Sequence, residues 1–472
     1  MTIWFDVEDL IRYFQNASRP TGIQRLSFET YRAVWQQAGA TGKVGFCRRN
    51  LARTGFKSIH FPALEAGITA SATAALIPPP PPQAAPPLQR PPSRLITAAR
   101  RLPPQFRHPL AVMVYSGLHA LRATRDLAKA CLAPARPGPV PAPASRIGGH
   151  QFDLHGPDVA FGPGDWFVNL GASWDSPYEP EFLAGLRANG AGFALLAHDL
   201  IPELFPEWCT QKMVSDFSGW LRDVVPQTDL MFAVSRNTAN DLASCLRKMG
   251  KSAGMPVVLP VGSHAAADLA MGPPVLERPY VLMVGTIEAR KNHAAMMRVW
   301  RRMLQTMPEA AVPDLVFAGK TGWLTTDLMQ QLGNAGWFGG KIRFIESPSE
   351  TDLASLYRHC LFSVFPSLYE GWGLPVTESL SFGKTVAASN RASIPEAGAN
   401  FCAYFDPDNI TDAYETIRGL IENPARIATL QARIAAEFHP PSWHDAAAAL
   451  LARLGLKKQD ARSHIKGLQT IS

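Results

Sequence analysis

A chain of 472 residues, 46% hydrophobic and 18% charged, is too long for one ordinary core and too apolar to stay disordered, so two or three folded domains are expected. The formal net charge of +7 suits an anionic partner: nucleotide phosphates, a lipid surface or nucleic acid.

The first residues have neither a basic n-region nor an apolar h-region, and no run of about 18 uninterrupted apolar residues follows anywhere. The expected location is therefore the cytoplasm. The six cysteines show no CxxC or zinc spacing, which fits buried or idle thiols in a reducing compartment.

The chain opens on a strand-like run, W-F-D-V-E-D-L (Trp4 to Leu10), followed by N-A-S-R-P-T-G-I-Q-R (Asn16 to Arg25). Two proline-rich stretches, Ile77 to Pro92 and Ala133 to Ala144, predict extended spacers that pack no core. From Arg90 to Arg136 nine Lys/Arg stand against one acid, Asp126, around the apolar group Val112 to Tyr115. Such a segment suits an anionic membrane surface on the inner face of the plasma membrane. A solvated insertion that docks on its own domain is the alternative. The basic excess lacks aromatics at a spacing that would stack bases, so nucleic acid is not expected.

Short apolar runs then alternate with helical patterns. F-V-N-L-G, F-A-L-L-A-H-D, M-F-A-V-S, Y-V-L-M-V-G, D-L-V-F-A-G and L-F-S-V-F-P-S read as two-sided buried strands of parallel sheets. A linker is expected near 265–279, around Gly272-Pro273-Pro274. Sheets of this kind bind ligands at the carboxyl ends of their strands, so residues just after strands carry the functional weight. His198 and Asp199 end one strand. Ser235 ends the next, where it and Thr238 can cap the following helix.

In the second half, Arg290-Lys291-Asn292 follows the strand that ends at Gly285 and opens a helix. Adjacent cations beside free helical N–H groups suit a diphosphate. Lys320 stands likewise after the strand ending at Gly319. The run S-L-Y-E-G-W-G-L-P-V-T-E-S-L-S-F-G (Ser367 to Gly383) places Glu370 before a turn and Glu378 about one turn into a helix. That helix is predicted over Val376 to Phe382, with Pro375 at its first position and Gly383 as its stop. Gly371 and Gly373 allow backbone to approach a ligand. The two glutamates can address two ends of that ligand, with the helix N-terminus between them.

These residues resemble the retaining glycosyltransferases of family 4, which have the GT-B fold. Glu370 and Glu378 match the family's E-x7-E element. The likeness continues through P-V-T-E-S-L-S-F-G-K-T-V-A-A-S-N, S-I-P-E-A-G and Y-F-D-P-D-N, covering nearly all of Tyr280 to Asn409. Within the family, V-G-T-I-E-A-R-K-N-H resembles bacterial mannosyltransferase-like members.

The resemblance implies an α/β protein of two Rossmann-like domains with a cleft between them: 1–270 on the acceptor side with an insertion at about 62–148, 277–438 for the sugar nucleotide, and 439–472 as a C-terminal helix and tail returning to the first domain. It gives Glu370 to the donor sugar, Glu378 to the ribose and Arg290 with Lys291 to the diphosphate. Gly371, Gly373 and Leu374 line the donor, and backbone near Arg343 to Ile345 faces the base. Many members carry arginine directly after the strand-end glycine. Thr286 stands there in this chain, and Arg290 takes over that role. His198, set in H-D-L-I-P-E-L-F-P, lines the sugar site with Asp199 positioning it. Gly22 brings backbone N–H groups to the sugar's phosphate or the acceptor, assisted by Arg25. Ser235 is a weaker candidate for a contact across the cleft, and Arg236 a weaker candidate for phosphate.

The reaction so implied moves a hexose, mannose from GDP-mannose first, to a hydroxyl of a lipid-linked or growing polysaccharide. A sugar-nucleotide epimerase or a catalytically silent membrane scaffold of the same fold are the alternatives. No Asp-x-Asp motif is read after a strand, so neither a metal nor a cofactor is expected. Alanine at Glu370 or Lys291 is expected to abolish turnover and leave the fold intact.

Overall fold

The computed structural model describes residues 1–15, 17, 22–50, 54–74, 146–147, 150–151, 156–251, 254–264, 266 and 272–456. The chain divides into two compact units, Met1–Ala72 with Ser145–Ser472, and Thr73–Ala144. Nearly all of the second unit, with the basic stretch expected at a membrane and Cys131, lies outside the described residues. Of the linker expected near 265–279, residues 265 and 267–271 also lie outside them.

The first unit holds two main sheets. The strands of the first are β1 (Ile3–Asp6), β2 (Val44–Arg49), β3 (Phe56–Ile59), β6 (Trp166–Asn169), β7 (Gly192–Ala197), β8 (Leu230–Ala233) and β9 (Val257–Val258), after a separate small hairpin of β4 (Arg146–Ile147) and β5 (His150–Gln151). Their order is β3-β2-β1-β6-β7-β8-β9, with only the β2–β3 pair antiparallel. The second sheet comprises β10 (Tyr280–Val284), β11 (Asp314–Gly319), β12 (Ile342–Glu346), β13 (Ser363–Phe365), β14 (Val386–Ser389) and β15 (Cys402–Phe405). Its order is β12-β11-β10-β13-β14-β15, all parallel.

Alternation along each strand shows why these segments are strands. Ile3 and Phe5 enter one core and Trp4 packs against the other, as Val168 and Phe167 divide on β6. On β10, Val281 and Met283 face one helical layer while Tyr280 and Leu282 face the other. Both faces are covered, so both alternations are apolar. In each sheet the chain builds outward from the first strand, then crosses back to its other side. The switch points lie between β1 and β6 and between β10 and β13, where such sheets open a crevice for ligands.

The helix Trp443–Arg453 starts from a capping box of Ser442 and Asp445. Its Trp443, Ala447, Leu450 and Leu451 join the core that holds Ile3 and Phe5. The last described helix thus belongs to the first domain, although it follows the second in sequence. Two doubly wound domains with that return make the GT-B architecture.

Two boundaries and one motif differ from expectation. The helix Phe61–Ala74 buries Phe61, Leu64 and Ile68 in the first core, so the start of the expected insertion is an integral part of the domain. The helix after Gly373 runs Leu374–Ser381, with Pro375 one place later than predicted. Gly373 at φ 113 ends the loop there, a conformation open chiefly to glycine. An Asp-x-Asp run does follow a strand: Asp406-Pro407-Asp408 succeeds β15. Both of its carboxylates pair with Arg391, at 2.8 and 3.2 Å. Among the described residues, Cys47, Cys209, Cys245, Cys360 and Cys402 are free, and no helix is long and apolar enough to cross a membrane.

Candidate functional site

The second sheet's switch point brings together the loops after β10 and β13. Leu368 N–H donates to Arg290 O at 2.9 Å and stitches them. Lys291 Nζ lies 2.6 Å from Glu370 Oε1, and Arg290 Nη1 lies 2.7 Å from Glu370 Oε2. Arg290 also donates to Tyr369 O at 2.7 Å and to Glu288 at 2.6 Å. Lys291 Nζ sits 5.0 Å from the centre of the Phe365 ring, and its stem passes over Gly285. Ser393 Oγ pins the loop by donating to Glu370 O and Trp372 O.

Glu370 is buried, at 8% exposure. Burial alone would raise its pKa, but the charges of Arg290 and Lys291 outweigh it and hold the carboxyl at about 2. An alanine here would leave two cations without their counter-ion in a buried site, so a stability cost is expected beside any effect on turnover.

Glu378 lies in the helix Leu374–Ser381. Its Oε1 is 3.0 Å from Arg25 Nη1, and its Oε2 accepts from Tyr357 O–H at 2.8 Å. Arg25 belongs to the helix Ile23–Ala38 of the first domain, so this pair spans the cleft. Burial would lower the arginine's pKa, but Glu378 and Glu350 raise it. Arg25 therefore serves Glu378, whereas the resemblance set it beside Gly22. Gly22 is the N-cap of the same helix at φ 55, and among the described residues none lies within 4 Å of where its Cβ would stand.

His198 directly follows β7, buried at 5%. Its Nε2 is 2.8 Å from Leu170 O. A carbonyl only accepts, so Nε2 carries the proton and Nδ1 keeps its lone pair. Burial pushes the imidazole down to about 4, with the Leu170 bond partly opposing. His198 is thus neutral at physiological pH. Half-buried Asp199 accepts from Ile201 N–H at 3.0 Å. Burial raises its pKa and nearby Arg290 lowers it.

The domains meet at these same residues. A Cβ added to Gly371 would stand 1.8 Å from His198 O. Gly371 lacks a side chain because backbone from the other domain occupies that space, where a ligand was expected. Thr238 Oγ1 donates to His198 O and to Gly371 O, each at 3.3 Å. Ser235 caps the helix Arg236–Lys248 by accepting from Thr238 N–H at 3.0 Å, which is a structural role. Arg236 is exposed, 3.5 Å from Glu396. Lys320 Nζ reaches Tyr13 O–H across the cleft at 3.5 Å. On β12, Arg343 pairs with Asp314 at 2.9 Å.

Two cleft residues escaped the sequence reading. Glu396 accepts from Arg236 N–H and Asn237 N–H, both at 2.9 Å, and so occupies a helix N-terminus of the other domain. Tyr369 O–H bonds Asp241 and accepts from Asn237 Nδ2. Glu396 sits inside S-I-P-E-A-G and Tyr369 directly precedes Glu370. Their roles arise from the other domain's approach, which no local pattern encodes.

In this arrangement Glu370 is the counter-ion of the two candidate diphosphate cations.

Residues 272–437 match the family model described as glycosyl transferases group 1. The serotype-specific mannosyltransferase WbdA of Escherichia coli is 26% identical over 258 residues, covering 51% of this chain and 31% of that protein. The O-antigen chain mannosyltransferase B of Escherichia coli is 32% identical over 170 residues, 36% of this chain and 39% of that one. The chain thus spans about a third of the length of these curated relatives. Among solved structures, that of TarM aligns with 12% identity and a TM-score of 0.48, over 61% of this chain and 54% of the other.

Proposed function

We propose that this chain, whose residues 272–437 belong to the glycosyl transferases group 1, is a retaining glycosyltransferase. It takes a hexose from a nucleoside-diphosphate sugar, GDP-mannose first, and passes it to a hydroxyl of a lipid-linked or growing polysaccharide. The observation that carries this reading is the convergence of Arg290 and Lys291 on Glu370 at the switch point of the second sheet, opposite His198 of the first. The mannosyltransferases among its relatives support the choice of sugar.

In this reading the diphosphate replaces Glu370 as the partner of Arg290 and Lys291, and Glu370 turns to the donor sugar's hydroxyls. Glu378, held by Arg25 and Tyr357, accepts from the ribose. Departure of the nucleoside diphosphate builds negative charge on its terminal phosphate, which the two fixed cations and the N-terminus of the Leu374–Ser381 helix stabilise. The acceptor hydroxyl attacks the sugar's anomeric carbon on the face the phosphate leaves, and its proton passes to the departing phosphate. No carboxylate is assigned as a covalent nucleophile. A His198 that stays neutral down to about pH 4 is no proton donor to the leaving group. It orients the sugar through the Nδ1 lone pair.

Calorimetry with GDP, UDP, ADP and their hexose conjugates tests the reading. One nucleotide should bind, and its hexose conjugate should be turned over with retained anomeric configuration. Conversion of the free sugar nucleotide to an epimer with no acceptor present would favour the epimerase alternative. Failure of every nucleotide to bind overturns both.

A further inference from the structure

Among the described residues, Trp323 is the only exposed Phe, Tyr or Trp, at 36%, and its neighbour Leu324 is 61% exposed. Leu324 also holds φ 56, a left-handed conformation that bulky residues adopt at a cost and that concentrates at binding sites. The loop is firmly seated. Ile287 N–H donates to Lys320 O and Gly322 N–H to Ile287 O, at 2.8 and 2.9 Å, and Gly322 packs so closely that a Cβ would lie 2.7 Å from Ile287 O.

Trp323 Nε1 donates to Trp208 O of the other domain at 2.7 Å. With its single polar atom engaged, the exposed part of the indole offers apolar ring surface. Trp208 stacks on Phe205 with centroids 4.5 Å apart and planes at 16°, and Phe205 lies 4.8 Å from the Tyr369 ring. Tyr369 directly precedes Glu370, and its carbonyl accepts from Arg290. Aromatic rings therefore run from Tyr369, beside the candidate donor-sugar acid, through Phe205 to Trp208, and Trp323 joins the end of that row through its hydrogen bond to the Trp208 carbonyl.

We infer that this row, from Tyr369 to Trp323, is the acceptor subsite, and that it takes hexose residues of a glycan chain on the exposed face of Trp323. The inference rests on the proposed glycosyl transfer. A pyranose ring carries a patch of axial C–H groups that loses water favourably against an aromatic face, while its hydroxyls stay solvated at the rim. The row starts at the donor acid, which is where an acceptor's reacting end must arrive. An anionic bilayer would need cations beside the exposed pair. The run Thr321 to Thr326, T-G-W-L-T-T, has none, and Lys320 is turned to Tyr13.

The test uses the full chain with linear trisaccharides of mannose, of glucose and of N-acetylglucosamine, read by calorimetry and saturation-transfer NMR. At least one should bind the wild type. Trp323→Ala should weaken it about tenfold. Trp323→Phe should stay within about twofold, because it keeps a ring face while deleting the N–H to Trp208. GDP and UDP affinities should be unchanged in both variants, which separates this inference from the nucleotide reading. The inference is overturned if no trisaccharide binds the wild type, if Trp323→Ala binds as the wild type does, or if both variants weaken equally. It is also overturned if Trp323→Ala instead releases the chain from phosphatidylglycerol vesicles with saccharide binding untouched.

Discussion

Glu370 is held by two cations at 2.6 and 2.7 Å, and its titration is a direct probe of the site. A carboxyl depressed from 4.5 to about 2 contributes stability above its unfolded pKa and loses it as pH falls toward 2. The depression is worth about 3 kcal/mol. Glu370→Gln should therefore be less stable than the wild type at neutral pH, with the gap in unfolding free energy narrowing between about pH 4.5 and 2. A gap that does not change with pH contradicts the ion pairs. His198 supplies a second test. Its folded pKa of about 4 lies below the usual 6.5, so the His198 imidazole should not titrate near neutrality. The kcat profile should have no limb near pH 6.5, and a limb there that disappears in His198→Asn would return a proton-transfer role to this residue. The sequence placed these residues at strand ends, because strand-end loops carry polar residues that no core explains. Their pairing was hidden. Glu370 and Lys291 stand 79 positions apart, and only the strand order brings their loops together.

At the scale of elements, the cleft depends on backbone fit as well as on side chains. Gly371 faces His198 O where a methyl would stand at 1.8 Å. Gly371→Ala should hold the domains apart, lowering kcat by at least about a hundredfold, because misplacing reacting groups by an ångström costs about that much. GDP or UDP affinity should stay within a few-fold, since the cations belong to the second domain alone. Equal losses in both would place Gly371 on the ligand, as its sequence context suggested. Glycine in a loop admits either reading until the neighbouring backbone is known, so the choice was not legible in Y-E-G-W-G. The strands themselves were legible, because apolar runs bounded by Gly, Ser and Pro are what a doubly covered sheet requires. The helix Phe61–Ala74 is not legible as part of the domain, because its alanine-rich end leads directly toward the prolines.

For the whole molecule, the sequence showed two parallel sheets but not the small contacts that close them, such as Glu396 on a helix N-terminus of the other domain. The basic stretch 90–136 makes a separable claim. Deleting 78–144 should reduce association with anionic liposomes and spare activity on a soluble acceptor, and unchanged association would assign the segment another task. The central claim is that Arg290 and Lys291 are the diphosphate site. It is tested most directly by titrating GDP and UDP into the wild type and Lys291→Ala, with thermal unfolding as the control for folding. The account predicts that one of them binds the wild type and that the folded variant binds it at least about tenfold more weakly, about 1.4 kcal/mol. Equal affinity in the two proteins would contradict it.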